Sequence, residues 1–126
     1  MGSIMFDQCE NLLGEESVIA SGANLATPFS TQGWAIVGVQ MPAAWTAAKL
    51  GFDVSLDGIS WNTAYDNGGN YEQSTVQAAS FICIPLSDAI FAPFIRPKSV
   101  DASNVAVNQV AARTLKFMLR RYLGGS

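Results

Sequence analysis

From Lys49 to Leu56 the chain alternates strictly: Leu50, Phe52, Val54 and Leu56 fall on one side, and Lys49, Gly51, Asp53 and Ser55 on the other. Alternation with period two puts successive side chains on opposite faces of a strand, so this stretch predicts a half-buried β-strand with its four apolar residues in a core. Asp57-Gly58 follows at once. Such a pair takes up the positive φ of a sharp reversal at little cost, which predicts a hairpin. The stretch SLDGISW (55–61) therefore reads as a turn that brings Trp61 back on a returning segment, 59–65, where its ring packs across the hairpin onto the core. Stacking on a ligand is the alternative role for that ring.

Similar signals recur along the chain. Asp66-Asn67-Gly68-Gly69-Asn70 predicts a second reversal and separates the Trp61 segment from a strand at 72–77. The apolar run 81–86 predicts a strand at a sheet edge, because Pro85 near its end donates no ladder hydrogen bond. Extended pieces are expected at 34–41, stopped by Pro42, and at 94–98, followed by a polar loop through 100–108. Short strands at this spacing predict a β-sandwich or barrel. Residues 110–123 carry two periods at once. Leu115, Met118, Leu119 and Tyr122 fit a helical face; Leu115, Phe117 and Leu119 fit a strand with Thr114, Lys116 and Arg120 opposite, and periodicity alone leaves both open.

A length of 126 residues fits one domain with a single core. Charged residues make up 13% of the chain, about half of the usual share of roughly 25%. Its surface is therefore expected to be rich in small neutral residues, which another protein covers with few ions to desolvate. The net charge of −3 hides an asymmetry: residues 1–95 hold nine acids and only Lys49 as a base, whereas residues 96–126 hold six bases and only Asp101 as an acid. Those bases are interleaved with apolar residues and form no dense run. An internal salt-bridge face or an acidic neighbouring subunit is the expected partner, and not nucleic acid.

Several chemistries are excluded by composition. Without histidine, no Ser-His-Asp or Cys-His catalytic arrangement and no His-containing zinc site can be built. Cys9 and Cys83 do not make a metal site alone; they pair only if the fold brings them together, and Cys83, inside the apolar run Phe81-Ile82-Cys83-Ile84, reads as a buried free thiol. No phosphate-cradling glycine loop, EF-hand spacing or internal repeat is present. Neither a secretory signal nor an apolar run of membrane-spanning length is expected. Glu15-Glu16 is the one pair of neighbouring carboxylates and reads as a solvated loop. The expectation is a protein that is not an enzyme and uses no cofactor and no metal.

Four stretches carry a resemblance: residues 17–22 (SVIASG), 39–48 (VQMPAAWTAA), 52–58 (FDVSLDG) and 107–115 (VNQVAARTL). Together they resemble a family of small tailed-bacteriophage virion proteins, over roughly residues 17–120, and Ser-x-Asp-Gly-x-x-Trp is shared with discoidin-like jelly-roll modules. The resemblance implies an all-β fold: a single-domain antiparallel β-sandwich, jelly-roll-like, of about eight strands, with the segment from Arg113 to Arg120 as its last strand. Residues 1–16 depart from that pattern and read as an added N-terminal arm, before the sandwich at 17–123 and a flexible tail at 124–126. That arm would either reach onto a neighbouring subunit, burying Ile4, Met5, Phe6, Leu12 and Leu13, or stay disordered.

Two functions then compete. One is a capsid decoration or cement protein, made in the host cytoplasm and placed on the capsid surface of the virion, where it binds the major capsid protein as a homo-oligomer, dimer or trimer. Phe6, Leu12, Leu13, Met41, Trp45, Arg120 and Arg121 are its candidate assembly residues. The other is a carbohydrate-binding module on a tail or fibre, which takes a surface glycan on Trp45, Trp61, Tyr65 and Tyr71. Nucleic acid and membrane are expected partners of neither.

Overall fold

The computed structural model describes residues 3–5, 12–85, 90 and 92–121. Among the described residues, ten strands form two antiparallel sheets. The first sheet runs in the order β1 (Ser3–Met5), β2 (Leu12–Ile19), β10 (Arg113–Arg120), β4 (Ala35–Gln40), β8 (Phe81–Cys83). In the second, β3 (Phe29–Ser30) pairs with β9 (Phe94–Val100), and β9 with β5 (Lys49–Ser55). Both β6 (Asn62–Thr63) and β7 (Gln73–Thr75) then pair with β5, one opposite Asp53 and Val54 and the other opposite Lys49 to Gly51. These two pieces act as one interrupted strand, which leaves eight strand positions with β1 added outside β2. Apart from β1 to β2 and the run β5 to β7, each step of the chain crosses between sheets, and this order, 2-10-4-8 over 3-9-5-(6,7), is the jelly-roll topology.

The closing segment is a strand. Arg113, Leu115, Phe117 and Leu119 point inward, while Thr114, Lys116 and Arg120 are exposed. Pairing decides between the two periods: β10 lies between β2, matched over eight residue pairs, and β4, so a helix there would leave each neighbour unpaired along the edge that faces β10. A bulge lets Met118 face Gly38 while Leu119 faces Ile36, so Val37 is the extra residue. Ile36 and Val39 consequently both enter the core. Pro97 sits in β9, a central strand. Its carbonyl accepts the Ala26 N–H at 2.8 Å, so its nitrogen also faces the short Leu25–Ala26 side and costs no bond to β5.

Between the sheets lies one apolar core that includes Ile19, Ile36, Leu50, Phe52, Ile95, Leu115, Phe117 and Leu119. Phe117 is its centre. Its ring lies 5.5 Å from that of Phe29 and 6.2 Å, edge-on, from that of Phe52, so the three rings tie the last strand to both halves of the second sheet.

The structure corrects several expectations. Leu56 is not the fourth core residue of its strand: β5 stops at Ser55, and Leu56 is 85% exposed. The polar face of β5 is not solvated, since Gly51, Asp53 and Ser55 are all buried. Cys83 is a free, exposed thiol. The run 81–84 alternates, with Ile82 and Ile84 turned inward and Phe81 and Cys83 outward, because successive side chains of a strand take opposite faces and the outer face meets solvent; among the described residues β8 is an edge strand paired with β4. Cys9 and Phe6 lie outside the described residues. The boundary expected at 16/17 falls inside β2, whose Glu16 pairs with Lys116 and whose Ser17 pairs with Leu115.

Candidate functional site

The assembly residues expected from sequence separate into two groups. Leu13 and Met41 are buried core residues, and Trp45 packs half-buried against that core while its Nε1 donates to the Ala48 carbonyl at 3.1 Å. Arg120 and Arg121 are exposed, and Leu12, the cross-strand partner of Arg120, is half-buried. Phe6 lies outside the described residues.

The loop that joins β5 to β6 is a turn held by side chains. Ser55 Oγ accepts the N–H of Gly58 at 2.8 Å and that of Asp57 at 3.3 Å, and donates to Asp57 Oδ1 at 3.0 Å. Asp57 Oδ1 also accepts the N–H groups of Ile59 and Ser60, at 2.8 and 2.9 Å. These bonds, led by the one from Ser60, favour the ionised carboxylate and hold it below the usual aspartate range. Gly58 takes φ +80°, and a Cβ added there would meet the Phe94 ring at 3.5 Å, so the loop rests on a packed base. On that base stand Leu56, 85% exposed, and Ile59, 82% exposed.

The topology puts this loop at the same end of the sandwich as the terminal bases. Ser55, at the end of β5, pairs with Phe94, and Phe94 with Ser30; the 31–34 turn then leads to Ala35, the partner of Arg120. One end therefore gathers two exposed aliphatic side chains with Arg120 and Arg121, both exposed. Sequence alternation counted Leu56 into the core because it continued one residue past the strand. Ile59 was likewise counted into the returning segment 59–65, whose strand β6 begins only at Asn62, so no local pattern marked it as displayed.

Trp61 does not pack on the core. On the outer face of the second sheet its ring lies 4.7 Å from Arg96 Cζ. Arg96 in turn bonds Asp53 Oδ2 at 2.8 Å, and Lys98 Nζ lies 2.7 Å from Asp53 Oδ1 and 3.2 Å from Thr63 Oγ1. One nearly buried carboxylate thus serves two cations from the neighbouring strand. This cluster explains why the polar face of β5 is buried, and it binds the acid-rich and base-rich parts of the chain together.

At the opposite end, Gln109 is fully buried with its amide used at both atoms. Its Oε1 accepts the Thr46 N–H at 2.8 Å and Arg113 Nε at 3.1 Å; its Nε2 donates to the Thr46 carbonyl at 3.0 Å and to Ser99 Oγ at 2.9 Å. Two of the stretches that carry the resemblance, 39–48 and 107–115, therefore meet through this amide, which gives them a structural role in closing the sandwich.

The remaining aromatic candidates sit on a small hairpin between β6 and β7. Tyr65 and Tyr71 bridge across it with rings stacked 5.3 Å apart, and Asp66 Oδ1 fixes its tip by accepting the N–H groups of Gly68 and Asn70 at 2.8 and 2.9 Å. Among the described residues, no three Cys, Asp or Glu side chains gather as metal ligands, and no helix is long and apolar enough to cross a membrane. The fold and these surfaces define the chain as a jelly-roll β-sandwich with a fixed, apolar-tipped loop. No protein-family model matches it, and no curated protein matches it.

Proposed function

We propose that this protein is a non-enzymatic virion structural protein of a tailed bacteriophage, a capsid decoration or cement protein that binds the major capsid lattice as a homo-oligomer and stabilises the head. The observation that carries this reading is the β5–β6 loop. Leu56 and Ile59 stand almost fully exposed on a turn whose backbone is already fixed by Ser55 and Asp57. Docking such a loop costs little ordering entropy, so most of the apolar burial is retained as affinity. Arg120 and Arg121 at the same end add long-range attraction to an acidic partner surface.

The low charge content and the resemblance of residues 17–120 to small phage virion proteins support the same reading. Each contact is modest in such a role. Many copies on one shell, held at several points, resist its expansion together. The test is co-sedimentation of the purified protein with mature and immature shells of the major capsid protein encoded nearest to it. Saturable binding to the mature shell supports the proposal, and failure of the folded protein to bind either shell refutes it.

A further inference from the structure

A second, independent surface lies on the β6–β7 hairpin. Tyr65 is 57% and Tyr71 39% exposed, in a chain that buries most of its large apolar side chains. Their rings border an open pocket of about 360 Å³ that Gly69, Asn70, Gln73 and Ala102 complete. This is the low end of the range of roughly 300–1,000 Å³ for ligand pockets, room for about one or two sugar rings.

Every residue lining the pocket is uncharged. Of the acids adjoining it in sequence, Asp66 is occupied by the N–H groups of its own turn, and Asp101 likewise accepts the N–H groups of Ser103 and Val105. Gln73 donates its Nε2 to the Asp101 carbonyl at 2.9 Å and to Asn104 Oδ1 at 3.3 Å, which orients the amide and leaves Oε1 as an acceptor. The pocket thus combines a flat aromatic wall, fixed amides and hydroxyl groups.

The geometry points to a neutral saccharide as the ligand of this pocket. A pyranose has an apolar C–H face that suits the exposed tyrosine ring and a rim of hydroxyls, each donor and acceptor, that suits amides and phenols. Charge decides against the other ligands that stack on aromatics. Asp66, Glu72 and Asp101 adjoin lining residues, and the base closest in the sheet, Lys98, which pairs with Gly51 beside Gln73, is committed to Asp53, so phosphates and acidic sugars are disfavoured. This site is independent of the apolar-tipped loop and does not require the capsid role.

The test is ¹H–¹⁵N NMR titration of the full chain with neutral trisaccharides of glucose, galactose, mannose and N-acetylglucosamine, and with sialyllactose as the acidic comparison. At millimolar sugar, at least one neutral trisaccharide shifts the amides of 65–73 and 101–104, and Tyr71→Ala weakens it by about tenfold or more. Ala102→Trp, which fills the pocket from the wall opposite the hairpin, abolishes the shifts even if the tyrosine variant disturbs the hairpin. The inference is overturned if a folded sample binds no neutral sugar, if the shifts map elsewhere, if binding survives Ala102→Trp, or if sialyllactose binds more tightly than every neutral sugar.

Discussion

Asp57 Oδ1 accepts the backbone N–H of Ile59 at 2.8 Å, so the side chain that makes the turn also fixes the residue that the turn displays. Asp57→Ala removes the acceptor, whereas Asp57→Asn keeps an oxygen in its place. In the alanine variant the amide resonances of Ile59 and Ser60 are expected to move toward random-coil positions with little change in melting temperature. The asparagine variant is expected to stay near wild type. Unchanged Ile59 and Ser60 resonances in Asp57→Ala would remove the role given to this carboxylate.

The same bonds set a pH dependence. The folded pKa of Asp57 is depressed, so its contribution is fully present above the unfolded value of about 3.9 and is lost as pH falls through the lower, folded value. The loop is therefore expected to stay ordered through neutral and mildly acidic pH and to loosen only below the ordinary aspartate range, read from the same two amides. Loosening around neutral pH would contradict this.

Phe52→Ala opens a cavity beside Phe117 and should cost about 3–5 kcal/mol. Phe52 is 1% exposed and holds the edge of the Phe117 ring. Chemical denaturation measures the loss directly, and a near-unchanged transition would mean that the three-ring contact does not organise the core.

Asp53→Ala leaves Lys98, 8% exposed, and part of Arg96 without their counter-ion, at a cost of about 3–5 kcal/mol. Replacing all three by Leu, Met and Met should recover most of that stability, since the penalty comes from the orphaned cations and not from loss of the pair itself. Equal destabilisation by the single and triple variants would count against the account.

Gln109→Ala orphans the Thr46 N–H and carbonyl together with Arg113 Nε, each worth about 1–3 kcal/mol when left buried. Hydrogen exchange should show the 41–48 loop opening first in this variant. Uniform protection across the chain would contradict the assignment of Gln109 as the closure of that end.

The strand at Lys49–Ser55, the edge position of Phe81–Cys83 and both reversals were legible because each depends on neighbours in sequence: alternation, a proline, an Asp-Gly or Asn-Gly pair. The last strand was not legible from periodicity, since its residues satisfy two periods and only pairing with β2 and β4 decides between them. Polar contacts were the least accessible. Asp53 meets Arg96 across 43 residues and Gln109 meets Thr46 across 63, and no local pattern encodes such distances. Burial of Asp53 and exposure of Leu56 follow from those contacts and from where β5 ends, so the alternation assigned both to the wrong environment. Of the candidate site, Arg120 and Arg121 were found through charge asymmetry, and the displayed pair Leu56 and Ile59 required the structure.

The most direct measurement of the central claim is shell co-sedimentation of wild type beside Leu56→Asp/Ile59→Asp, a variant that alters only exposed positions. Wild type is expected to bind the mature shell saturably, and the double variant, with an unchanged melting curve, to lose that binding. Undiminished binding by the folded double variant would contradict docking through this loop, and failure of wild type to bind any shell would contradict the decoration role itself.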